Sequence, residues 1–179
     1  METAWIFGTL TVTVARIDFL DPAFASQPDT RERGVRIEIR PSASTHVGDI
    51  YTSPTVTLRP AVCRMDLLES APGAADRMHW HPTMDAGDPG DRVFDPAIPA
   101  DPLGWLAGRL ADVPSLLILA GVDDIDRHAE SARLVAESAA EIVASARSGL
   151  EWARLPWPEV TQDERGMATS PPRHAHTSN

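Results

Sequence analysis

The sequence predicts an α+β protein: an antiparallel β-sheet of four or five strands drawn from the first half of the chain, followed by a C-terminal helical subdomain. Three observations predict it. Apolar and polar residues alternate with period two in several runs before residue 81, as in half-buried strands. These runs follow one another with no room for helices between them, which implies antiparallel neighbours. From residue 101 onward apolar residues recur at intervals of three and four, the period of a helix face.

The first predicted strand covers Ile6 to Val14, where Leu10, Val12 and Val14 alternate with threonines, and it runs on toward Phe19. Asp21-Pro22 ends it, and the polar run from Ser26 to Arg33 reads as an exposed loop. Val35, Ile37 and Ile39 then alternate with Arg36, Glu38 and Arg40 in the cleanest strand of the chain. A third strand spans Tyr51 to Arg59, with Pro54 placing part of it at an edge or bulge. Cys63 to Leu68 and Arg77 to His81 are the fourth and fifth. Residues 82–100 are rich in Asp, Gly and Pro and read as a long connection.

Asp101-Pro102 is an N-cap followed by proline, and it opens a helix striped by Leu103, Leu106 and Leu110. Val113-Pro114 restarts the chain into a short helix that Gly121 stops. Asp123 or Asp124 caps a long final helix to about Leu150, with Ile142 and Val143 on its apolar stripe. These elements make residues 1–158 a single α+β domain: strands over about 4–81, a loop over 82–100 and helices over about 101–152. Residues 159–179 are polar and rich in Pro, Ser and Thr, and are expected to be a disordered tail.

Composition excludes several function classes. The 179 residues carry a net charge of −10, so there is no electrostatic footprint for nucleic acid. No apolar run reaches the roughly 18 residues of a membrane span, and the acidic start METAWIFG lacks the basic region of a secretory signal. A cytoplasmic location is expected. Cys63 is the single cysteine, so an intramolecular disulfide and a Cys-rich zinc site are ruled out. The chain has no lysine, which removes Schiff-base chemistry and the phosphate-loop lysine. There is no G-x-S-x-G elbow.

One stretch carries metal-ligand chemistry: Asp76-Arg77-Met78-His79-Trp80-His81-Pro82-Thr83-Met84-Asp85. Paired with the strand Cys63 to Leu68, its apolar residues match best with Met65 opposite Trp80 and Leu67 opposite Met78. That register puts Asp66 opposite His79 and Arg64 opposite His81. It predicts Met78 and Trp80 in the core and a solvent-accessible polar patch on the His79 and His81 side. His-x-His on a strand points both imidazoles to one side. Asp66 would ligate or orient His79, and Asp85 would supply a further oxygen. The opposing reading is a half-solvated strand with histidines as ordinary polar residues, and Arg64 beside His81 argues against a cation there. The loop carboxylates Asp85, Asp88, Asp91 and Asp95 lack the spacing of an EF-hand.

Gly73-x5-His79-x-His81-x3-Asp85 is similar to part of the first cupin motif, which has His-x-His followed by an acidic residue. Here that residue is Asp rather than Glu, Gly90 stands nearer than the motif glycine, and the second motif is missing. The succession SPTVTLRP, CRMDLLES, DRMHWHP, GDPGDRVFDP and ADPLGWL resembles an uncharacterised actinobacterial domain family of unknown function. That resemblance implies no activity; the preference for arginine over lysine fits a high-GC bacterial coding bias.

Two functional expectations follow from these features. The leading one is a non-catalytic binding or interaction module that needs no cofactor, takes a protein or small-molecule partner, and avoids nucleic acid and membrane. The alternative is a metal-dependent enzyme using a divalent transition metal on His79, His81, Asp85 and Asp66.

Overall fold

The structure, a computed structural model, describes residues 2–20, 31–46, 51–159, 161–162 and 168–169. Strand β1 (Glu2–Phe7) turns through Gly8-Thr9 into β2 (Leu10–Leu20). The single strand expected from Ile6 is therefore the second arm of a hairpin. Phe7 faces Leu10 across a two-residue turn, and Gly8 has φ +75° at its first position. Glycine takes that conformation without the steric cost a side chain would bring.

Strand β3 (Arg31–Thr45) pairs with β2 on one side and β5 (Cys63–Glu69) on the other, and β6 (His79–His81) pairs with β5. Strand β4 (Thr55–Leu58), shorter than the Tyr51–Arg59 expectation, pairs with the end of β3. The result is a six-stranded antiparallel sheet with the order β1-β2-β3-β5-β6 and β4 off that path. It is the predicted architecture, with the extra strand coming from the first hairpin.

Residues 82–100 are more structured than a plain connection. They contain the hairpin β7 (Met84–Asp85) and β8 (Asp88–Pro89), a return past Trp80, and the short helix α1 (Ala97–Ala100). Ala86 and Gly87 at the hairpin tip have φ of 50° and 99°. Both central residues are positive, as a type I′ turn requires.

Helix α2 (Pro102–Ala111) begins as expected, with the Asp101 side chain accepting from Gly104 N at 2.9 Å. Asp112 caps α3 (Val113–Leu119) in the same way through Ser115 N. Gly121, φ +68°, stops it, and Val122 N donates back to Leu117 O. The expected long final helix is broken. A 3-10 turn (Ile125–His128) leads into α4 (Ala129–Glu137), and α5 (Ala139–Ala153) follows Ser138. Ser138 N is shared between Leu134 O and Val135 O, which tightens the last turn of α4. The break lets α4 pack on β1 while α5 lies across β2 and β3.

One sheet face and the helices form the core. Val12, Ile37, Met65 and Trp80 from the strands meet Leu106, Leu110, Ile142 and Ala146 from the helices. Burying a side chain of the size of Ile37 or Leu106 contributes about 1.5–3 kcal/mol. At one end of this face buried arginines replace aliphatic residues. Arg33 stacks on the Trp152 ring at 3.9 Å, and Arg31 binds Asp18 through two nitrogens and Pro158 O at 2.7 Å. Arg31 and Arg33 are thus buried strand residues rather than part of an exposed loop; residues 26–30 of that expected loop lie outside the described residues. A flat guanidinium covers an indole face while keeping its charge, so it suits this position.

The expectation of a disordered tail over 159–179 falls largely outside the described residues, of which Thr161–Gln162 and Ala168–Thr169 pair as two short strands, β9 and β10. Among the described residues no helix is long and apolar enough to cross a membrane.

Candidate metal centre

The period of a strand sends Arg36, Glu38 and Arg40 of β3, and Arg64, Asp66 and Leu68 of β5, to the sheet face opposite the helices. His79 and His81 of β6 join them. The register is the expected one: Asp66 faces His79, Met65 faces Trp80, and Arg64 faces His81. Strand β3 extends each row by one residue, since Arg36 faces Asp66 and Glu38 faces Arg64. Two parallel rows result, Arg36–Asp66–His79 and Glu38–Arg64–His81. Within each, opposite charges face each other across the β3–β5 pair, the favourable arrangement in a sheet.

Met78 and Trp80 are in the core as expected, but the histidine side is not the accessible patch that the pairing suggested. His79 is 2% exposed and His81 3%. Residues 88–94 return along the outer edge of β6 and cover it. Trp80 and Val93 exchange backbone hydrogen bonds of 3.1 and 2.9 Å, and the Phe94 ring lies 5.7 Å from that of His79.

Two backbone carbonyls, one of them from this covering, fix the chemistry of both rings. His79 Nδ1 lies 2.8 Å from Arg77 O, and His81 Nδ1 lies 2.8 Å from Gly90 O. A carbonyl oxygen only accepts, so each Nδ1 carries the proton and donates it. In the neutral rings each Nε2 is then a lone pair. Both Nε2 atoms turn toward the same carboxylate oxygen, Asp66 Oδ2, at 3.6 and 3.8 Å. These distances are too long for hydrogen bonds. They are slightly wider than the roughly 3.0–3.4 Å that separates two ligand atoms on one ion with bonds of about 2.1 Å. Donor atoms from Asp66, His79 and His81 all lie within 4.8 Å of one another. Two imidazole nitrogens and a carboxylate oxygen grouped in a buried place are a donor set that could hold a metal ion.

The surrounding charges are paired. Arg36 Nε donates to Asp66 Oδ1 at 2.7 Å. Arg64, the sequence argument against a cation, is neutralised: its Nε donates to Glu38 Oε1 at 2.8 Å. Burial would raise the Glu38 carboxyl, but hydrogen bonds from Arg64 and Arg40 outweigh it and hold that group below the usual carboxylate range. Burial lowers the affinity of His79 for a proton, against the opposing pull of the Arg77 carbonyl and Asp66, and with help from Arg92 and His81. A His79 that resists protonation stays available as a ligand.

Asp85 does not join this group. It is exposed in the β7–β8 hairpin and lies outside the cluster formed by Asp66, His79 and His81. Asp88 and Asp91 are exposed as well. Asp95 has a structural role, accepting from Ala97 N and from Trp105 Nε1, both at 2.9 Å. Cys63 is buried, and burial pushes its thiol up to about 12. Sequence reasoning missed Arg36 and Glu38 as partners of the site, and Arg92 and Phe94 as its outer wall. The Arg-x-Glu-x-Arg alternation of β3 was a signal for the first two; nothing local announced the others.

The face opens into a pocket of about 670 Å³, lined by Asp66, His79, His81, Arg64 and Arg92 at one end and by Ile17, Phe19 and Leu68 toward the other. That volume is within the usual range for small-molecule sites. Comparisons with protein-family models, with characterised proteins and with solved structures find no match to this chain. The cupin resemblance therefore rests on the His-x-His pair and a carboxylate alone. Here the carboxylate of the cluster comes from the preceding strand, not from Asp85, where the motif would carry its acid.

Proposed function

We propose that the protein is a metal-dependent enzyme acting on a small molecule, with a divalent transition metal held by Nε2 of His79, Nε2 of His81 and a carboxylate oxygen of Asp66. The observation that carries this reading is the pair of Nδ1–H bonds to Arg77 O and Gly90 O, which leaves both Nε2 lone pairs directed at Asp66. Imidazole and carboxylate donors suit zinc or iron, and three protein ligands leave coordination positions open toward the pocket. A metal there would supply Lewis acidity or an activated water. Arg36 holds Asp66 in place, and the two backbone carbonyls hold the rings, the kind of outer support that metal sites use. A non-catalytic binding module, favoured by composition alone, is the reading that stands if no metal binds.

The test is elemental analysis of protein purified without an affinity tag, with thermal melts at added zinc, nickel and manganese. Wild type is expected to hold one equivalent. Metal at a hundred times its Kd adds about 2.7 kcal/mol to stability, or roughly 5–10 °C in Tm for a chain of this size. Asp66→Asn, which keeps shape but removes charge, and His79→Ala with His81→Ala are expected to lose both signals. Arg36→Gln is expected to weaken the metal about 10–100-fold. Wild type free of metal with unchanged melts would overturn the reading.

A further inference from the structure

The pocket is polarised along the strands, and that polarity specifies a ligand class. Successive rows on the pocket face stand about 6.7 Å apart, two residues of strand. The first row holds Arg64 opposite His81, and the second Arg36, Asp66 and His79. The third has Leu68 and Ile17 flanking Gly34, and the fourth has Phe19 opposite Glu32. The face passes from cationic and metal-ligating to apolar within roughly 13 Å, two further steps of strand.

The charges at the polar end are not all used within the protein. Arg36 is engaged by Asp66, and Arg64 gives its Nε to Glu38. Arg92, on the return strand that walls the pocket, has no ion-pair partner among the described residues and is exposed. The negative group at the far end, Glu32, likewise has no ion-pair partner there. Arg16 and Asp18 also border the pocket, but the strand period turns both to the helix face, where Arg16 lies over the Trp152 ring and Asp18 is bound by Arg31. On the face that carries the rows, the unpaired positive charge is beside His81 and His79, and the unpaired negative charge lies past the apolar rows.

We propose that the pocket receives a small organic monoacid, its carboxylate between Arg92 and the Asp66–His79–His81 group, and its hydrocarbon chain over Leu68, Ile17 and Phe19. The position of the carboxylate next to the metal rests on the metal-centre reading; its attraction to Arg92 does not. A neutral analogue gains the apolar contact but not the charge. A diacid of similar length carries its second carboxylate onto the apolar rows and toward Glu32.

Calorimetric titration of the full chain with hexanoate, hexanamide and adipate tests this, on zinc-loaded and metal-stripped wild type and on Arg92→Gln. Hexanoate is expected to bind about tenfold or more tightly than hexanamide, a difference of ~1.4 kcal/mol. Adipate is expected to bind more weakly than hexanoate. Arg92→Gln, a change at an exposed residue, is expected to reduce hexanoate affinity severalfold and leave hexanamide unmoved. Equal binding of acid and amide, no binding of either, adipate binding as well as hexanoate, or an Arg92→Gln variant that binds hexanoate as wild type does, overturns the proposal. Its failure is separable from that of the metal reading. If the chain takes up no zinc but acid selectivity and the Arg92 effect persist, the metal reading alone falls. If zinc is held at one equivalent and the acid is not preferred, the ligand proposal alone falls.

Discussion

Gly149 of α5 lies against Val35 of β3 so closely that a β-carbon on the glycine would stand 2.5 Å from Val35 Cγ2. The contact sets how near the last helix approaches the central strand. Glycine in a helix ordinarily costs about 0.5–1 kcal/mol against alanine. At Gly149 the sign should reverse, because Val35 is fully buried and β-branched and has little freedom to move. Gly149→Ala is expected to destabilise by about 1–3 kcal/mol, the usual cost of overpacking. Gly108 of α2 is the control, since a β-carbon there meets nothing within 4 Å. Gly108→Ala is expected to stabilise by about 0.5–1 kcal/mol. Denaturant midpoints of the two variants should move in opposite directions; a shared direction would mean α5 can slide away from β3.

His128 makes stability depend on pH. It is buried, its Nδ1 lies 2.9 Å from Thr9 Oγ1, and Ser131 links the same turn to α4 through Thr9 N at 3.1 Å. Burial first, and then Arg127, lower its affinity for a proton, against a smaller opposing pull from Asp124. The unfolded chain, with an ordinary histidine value of about 6.5, therefore takes up a proton that the folded chain refuses. The stabilising effect is fully present above that pH and is lost as pH falls below it. The carboxyls of Glu38 and Asp76, also held low, act in a more acidic window. Metal-free wild type is expected to weaken between about pH 7 and 5, the window set by an ordinary histidine. His128→Asn should flatten part of that slope, His79 providing the rest. Parallel curves for the two proteins would remove His128 from the account.

Ile142 and Val143 are neighbours on the stripe of the last helix but not equals. Ile142 is fully buried, whereas Val143 is only partly so. Ile142→Ala is expected to cost about 2–5 kcal/mol, the range for a buried aliphatic residue that leaves a cavity. Val143→Ala should cost clearly less. A smaller loss at Ile142 than at Val143 in chemical unfolding would reverse the assignment of the inward face.

What could be read in the sequence was periodic and local. The alternation of Val35, Ile37 and Ile39, the caps Asp101 and Gly121, and the apolar match of Met65 with Trp80 each depend on a few neighbouring residues, and the structure keeps all of them. What was missed depends on chain that returns from a distance. The hairpin at Gly8 hides because Ile6 falls on the even-numbered alternation of Leu10 and Val12, whereas across the turn it is Phe7 that shares a face with Leu10, and Ile6 is exposed. The burial of His79 and His81 comes from residues 88–94, whose Gly, Asp and Pro content gave no period to read. That Asp66 rather than Asp85 groups with the two histidines depends on the course of the chain after β6, which leaves Asp85 exposed in a hairpin outside that group. Ser138 breaks the last helix although the apolar stripe passes through it unbroken, because the stripe records which side is buried and not whether the axis is straight.

The Glu38–Arg64 pair yields the last prediction, because it decides whether a cation is tolerated beside His81. Arg64 and His81 face each other across β5 and β6, which puts their β-carbons about 5 Å apart. A guanidinium on so near a neighbour, within several ångströms of a divalent ion, would oppose it by roughly 4–7 kcal/mol at an effective dielectric of about 20. Glu38, 5% exposed and bonded to both Arg64 and Arg40, cancels most of that charge. Glu38→Gln should therefore weaken zinc binding about tenfold or more, although Glu38 donates no atom to the metal group; tenfold corresponds to ~1.4 kcal/mol. Adding Arg64→Gln to Glu38→Gln should restore much of the loss, whereas a purely structural role for Glu38 predicts a double variant at least as poor as the single one. Zinc affinities of wild type and the three variants, from competition with a chelating dye, close the double-mutant cycle. A coupling near zero would show that Arg64 does not act on the metal site.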